Sequence, residues 1–201
     1  MTDTPPTPFD LSEILAAEYE YISQTANQAH EDRARVSSFY LIAVGSLVAA
    51  LFGTPFLQSE YSNRSVSILF GVLFFLMTML GVSTIMQLAR LRAAWHESMR
   101  AMNHLKEFMI QQNPKLTGAF LWTKDTLPKP YKPRSVSYYQ AQEVAGIGGL
   151  MFGISVFFIQ QALLPTGRSI TLQNWIISAI AGLAIVLIQL QIYKYMLPNK
   201  K

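Results

Sequence analysis

The side chains best equipped for chemistry in this sequence, His30, His96 and His104, all lie in charged stretches that flank uncharged ones. If the stretches around His30 and His96 lie side by side, a metal site completed by Glu97 can be drawn between them. Arg90 and His96 have the Arg-x5-His spacing of some helical ribonucleases, a pattern short enough to recur by chance. The plainer role, a hydrogen-bonded or solvated histidine close to a membrane, covers all three. Cysteine is absent, which removes thiolate nucleophiles, thiolate metal ligands and disulfides. There is no phosphate-binding glycine loop, no serine elbow and no H-E-x-x-H pair. The residues therefore point to a non-enzymatic chain that holds no metal and no cofactor.

The elements that must position these residues are long and apolar. Hydrophobic residues make up 51% of the 201 and charged ones only 14%. The uncharged runs Val36–Ser59, Val66–Ala89, Val144–Gly167 and Ser169–Tyr193 are each 24 or 25 residues long. At a rise of ~1.5 Å per residue each crosses ~30 Å of hydrocarbon. The expected fold is all-α, an integral membrane protein with four transmembrane helices at 36–59, 66–89, 144–164 and 170–195, paired as two hairpins. No run contains Asp, Glu, Lys, Arg or His, which argues against ion-coupled transport, proton relays, charge-selective filters and intramembrane haem. Ser46, Thr78, Ser83, Thr84, Ser155, Gln160, Gln161, Ser178 and Gln189 are explained as interhelical hydrogen-bonding groups, although a hydrophobically gated pore could use the same set.

Of the sixteen Lys and Arg, only Arg64 and Arg168 fall in the short segments inside the two hairpins. The positive-inside tendency then puts both termini and the middle segment in the cytoplasm of a plasma (inner) membrane protein. Residues 1–9, acidic and proline-rich, lack the pattern of a secretory signal and read as a disordered leader.

Two amphipathic segments continue the first two spans into the cytoplasm. Asp10 and Glu13 have the spacing of a capping box, and from there Leu11, Leu15, Tyr19, Ile22, Ala26, Ala29 and Val36 mark one face of a helix over 10–35. Beyond Ala89 no Gly or Pro interrupts the pattern until Asn113-Pro114, so the second span runs on as a helix over 90–112. The first arm has six acids against two arginines and the second four bases against two acids. An antiparallel stalk of about 35–40 Å follows from the ~1.5 Å rise, with Glu31 and Asp32 near Arg90 and Arg92, and Glu20 near His104. Trp95 and His96 sit at the junction of stalk and span. Residues 113–139 form a Pro-rich interfacial linker in which Lys129, Lys132 and Arg134 alternate with Tyr131, suited to anionic headgroups or to an aromatic-lined partner groove. Ser135 or Ser137 can cap the helix that follows.

Small residues recur at four-residue spacing in three spans: Gly45, Ala49 and Gly53; Ala145, Gly149 and Gly153; Ser178 and Gly182. Such stripes let helix backbones approach, and three of them suggest a homo-oligomer.

The acidic arm running straight into a span, Glu18-Tyr-Glu-Tyr-Ile-Ser-Gln through Glu31-Asp-Arg-Ala-Arg-Val-Ser-Ser-Phe-Tyr40, followed by a second span and its extension, resembles the small helical membrane effectors of prokaryotic antiviral systems. The likeness covers residues 10–112 and is one of layout; it carries no functional residue across, and the hairpin over 144–195 departs from the two-span members. It implies a membrane-perturbing or membrane-sensing subunit, in contact with the lipid bilayer and working with a soluble cytoplasmic protein rather than with nucleic acid. The competing expectations are a structural accessory subunit of a larger membrane complex, and a small membrane enzyme or transporter.

Overall fold

The computed structural model describes residues 11–52, 64–164 and 171–197. Among them all regular structure is helical: α1 (Leu11–Phe52), α2 (Arg64–Gln112), α3 (Val136–Leu163) and α4 (Leu172–Met196), with 3-10 turns at Pro114–Gly118 and Lys124–Thr126. All four long helices contain a stretch long and apolar enough to cross a membrane. This is a multi-pass membrane chain. The 42 residues of α1 and the 49 of α2 amount to about 63 and 74 Å of helix, at least twice the hydrocarbon thickness. Both helices therefore pass unbroken from an apolar half into a charged one. Asp10, Gly53 and the segment between α1 and α2 lie outside the described residues.

The central element is α2, which packs against the other three helices, whereas α1 touches only α2 and α3. The buried face of α1 is Ile22, Ala26, Ala29, Arg33, Ser37, Tyr40 and Val44, a spacing of threes and fours that keeps one stripe inward. Tyr40 packs against Gly81, where an added Cβ would lie 2.8 Å from the phenol oxygen. Between α2 and α3, Ser155 Oγ donates to the Gly71 carbonyl at 2.7 Å, and Phe158 stacks on Phe74 at 5.9 Å between ring centroids. Ser135, rather than Ser137, caps α3, its side chain accepting from Tyr138 N at 3.3 Å.

Between α3 and α4 backbone approaches backbone. A Cβ on Gly149 would lie 2.6 Å from the Gly182 carbonyl oxygen, one on Gly153 3.0 Å from that of Ser178, and one on Gly182 2.7 Å from that of Gly149. The stripes of α3 and α4, with Ala145 fully buried, thus close on each other within the chain. The reason is that lipid offers no apolar gain, so backbone approach goes first to a partner tethered by a short connection. By contrast a Cβ added to Gly45 on α1 would meet no heavy atom within 4 Å, and Ala49 is exposed.

Polar groups inside the apolar region are bonded in part. Asn174 Nδ2 donates to Gln160 Oε1 at 2.9 Å, and Gln160 Nε2 donates to Ser178 Oγ at 3.0 Å. Gln189, expected to bridge helices in the same way, is fully buried beside Gly148, and neither of its amide atoms has a partner among the described residues.

Candidate functional site: a buried basic junction

Where the uncharged runs begin and end, α1, α2, the linker and the ends of α3 and α4 meet around two arginines. Arg33 is only 5% exposed and Arg92 8%. Arg33 occupies the inward stripe of α1 four residues after Ala29 and donates from Nη1 to Ser137 Oγ at 2.5 Å. Its Nη2 lies 3.1 Å from His30 Nδ1. A guanidinium has no acceptor, so His30 Nδ1 must be the unprotonated ring nitrogen. Arg33 Nε is buried without a partner among the described residues. Ser137 also supplies its carbonyl to the Tyr193 hydroxyl of α4 at 3.3 Å, which ties α1, α3 and α4 together at one point.

Arg92, His96 and Asn103 lie along one face of α2 and hold the linker by its carbonyls. Arg92 Nε donates to Pro130 O at 3.3 Å, His96 Nε2 lies 3.1 Å from Pro128 O, and Asn103 Nδ2 donates to Thr123 O at 3.1 Å. A carbonyl only accepts, so His96 carries its proton on Nε2. Proline-rich extended chain makes no hydrogen bonds to itself, which leaves its carbonyls free for this use. The Arg92 guanidinium also lies over the Trp95 ring at 4.4 Å.

Burial lowers the pKa of Arg33 and Arg92, with Tyr193 acting the other way on both and the two arginines repelling each other. Burial likewise lowers that of His96; the bond to Pro128 and the charge of Glu97 oppose this, while Arg100 and Arg92 add to it.

The charge pairing expected between the arms is not what holds them. Asp32 pairs with Arg35 of its own helix at 3.1 Å, and His104 lies 3.8 Å from Glu107 of its own. Glu31 and Arg90 are exposed, and Arg92 turns to the linker. Neighbours one turn away on a helix meet without ordering a second element, so exposed acids and bases pair locally. The drawn inter-arm metal site is also absent: His30 is taken by Arg33 and His96 by Pro128, and the described residues hold no cluster of three metal-binding side chains. The basic and aromatic linker residues separate. Lys129, Lys132 and Arg134 are exposed, Arg134 at a left-handed φ of 62°, while Tyr131 turns in against Tyr138 at 6.1 Å, with the Lys194 ammonium 5.9 Å above its ring.

Arg33, Ser137, Tyr193 and Asn103 did not stand out in the sequence as members of this site. The available signal was periodicity: Arg33 continues the stripe of Ala26 and Ala29, and Asn103 is seven residues from His96 on the same face. The class this defines is an all-helical, multi-pass membrane chain with a buried basic junction. No protein-family model, curated protein or solved structure matches it.

Proposed function

We propose that this chain is a non-enzymatic coupling subunit that relays a cytoplasmic event into the bilayer, in the manner of a membrane effector of antiviral defence acting with a soluble partner. In this reading the charged halves of α1 and α2 form an antiparallel cytoplasmic stalk, both termini are cytoplasmic, and copies associate through the open Gly45 and Ala49 face of α1. The observation that carries it is that α2 is unbroken across the junction while Arg92 and His96 grip the linker leading into α3. A rotation or tilt of the charged half of α2 is then passed both along its own axis and sideways to α3.

The test is to loosen the junction without touching its contacts. Ala89 is fully buried and so unsuited, but Gln87 and Ala94 are exposed. Glycine at both costs roughly 1 kcal/mol of helix propensity each. When the proteins are expressed in bacterial cells, the wild type should admit a membrane-impermeant dye. The Gln87→Gly, Ala94→Gly protein should insert and assemble equally but admit little. Equal dye entry in both would overturn the coupling role; no dye entry in either would favour a structural accessory subunit.

A further inference from the structure

Every buried charge needs a counterpart, and at the junction none is present among the described residues. Two arginines, each more than nine-tenths buried, end on neighbouring groups: Arg33 on Ser137 of α3, and Arg92 on Pro130, next to the Tyr131 that packs on Tyr138 of α3, and their like charges oppose each other. No carboxylate among the described residues pairs with either one: Asp32 is bound to Arg35, and Glu31, Glu97 and Glu143 are exposed. The free donors are specific. Arg33 Nε is buried and unpartnered; Arg92 bonds to the described residues through Nε alone, on Pro130, which leaves its two Nη groups, less deeply buried than Arg33 Nε, open to a ligand. An unpaired ion is costly to bury, and two like charges are costlier still.

We propose that Arg33 and Arg92 form an anion site for a phosphate group. The fork of donors on a guanidinium matches phosphate oxygens, and a shared anion removes the repulsion between the pair. The height fits. Arg33 bonds to the second residue of α3 and sits by Tyr193 near the end of α4, the level where the apolar runs stop and headgroup phosphates lie. Lys194 beside Tyr131 adds a cation at the same level. A lipid headgroup and a free phosphate share this chemistry. Nothing here depends on the coupling role.

Trp95 supplies the readout because Arg92 lies on its ring. Full-length protein carrying Trp122→Phe and Trp175→Phe, delipidated in detergent, is titrated separately with phosphatidic acid, phosphatidylcholine and inorganic phosphate while Trp95 fluorescence is followed. The expected result is a saturable change at one phosphatidic acid per chain, weakened at least tenfold by Arg33→Gln and by Arg92→Gln but less than twofold by the exposed Arg35→Gln. A response to phosphatidic acid alone assigns a headgroup; one to inorganic phosphate as well assigns a site open to soluble phosphate. Should either glutamine variant fail to fold, Arg33→Lys and Arg92→Lys keep the charge, lose the fork and should still weaken binding. The site is overturned if wild-type protein responds to neither anion, if phosphatidylcholine acts equally, or if folded variants of both arginines bind like the wild type.

Discussion

Between α3 and α4, Gly149, Gly153 and Gly182 bring backbone against backbone, whereas at the junction Arg33, Arg92 and His96 cross the gap with long polar side chains that end on hydroxyl and carbonyl groups. The difference follows from solvent. In hydrocarbon the available gain is close van der Waals approach, so the smallest residues make the contact. At the membrane surface an extended proline-rich segment offers unpaired carbonyls, and donors at one side of a helix can take them. The first kind of contact tolerates no added volume; the second tolerates change in volume but not loss of donors.

The largest effect is expected from Gly149→Leu. Even its Cβ would overlap the Gly182 carbonyl and Val186, and the carbonyl, being backbone, cannot yield without parting the helices. A cost of about 3 kcal/mol or more is expected, lowering the melting midpoint in detergent by roughly 6–12 °C. A midpoint within about 2 °C of wild type would mean that the seam is looser than its geometry.

A smaller effect comes from the junction. His96→Ala removes the donor to Pro128 at a cost of about 1–2 kcal/mol, and should speed tryptic cleavage after the exposed Arg134, since the bonds after Lys129 and Lys132 are protected by the prolines that follow them. The same link gives a pH dependence. Because the folded chain lowers the His96 pKa, the unfolded chain binds its proton first. The stability contributed is complete above the ordinary value of about 6.5 and is lost as pH falls below it towards the lowered folded value. Melting midpoints followed from about pH 7.5 down to 5.5 should therefore fall further for wild type than for His96→Asn. Parallel curves would remove His96 as the source.

The smallest effect on stability is expected from Gly45→Leu, under about 0.5 kcal/mol, because nothing lies near that position. Its consequence should appear instead in particle size in detergent, with loss of the associated form. Wild-type size would take the α1 face out of assembly and leave the contrast between the two glycines as one of fold alone.

Hydropathy and spacing were enough to read the four apolar helices and the unbroken course of α2, since run length and the absence of breakers are properties of neighbouring residues along the chain. The small-residue stripes were legible too, but not their partners: a stripe states that a backbone can approach, and only tertiary packing decided that α4 of the same chain takes the place on α3. The junction was half legible. Arg92, Trp95 and His96 stood out as charged and aromatic groups at the end of an apolar run, while Arg33 looked like one more basic residue beside the membrane. What buried it was the meeting of its stripe with Ser137 of α3, more than a hundred residues away. Which opposite charges pair, and which charge is left without a pair, depends on distances across elements, and a linear sequence does not contain those distances until the helices are packed.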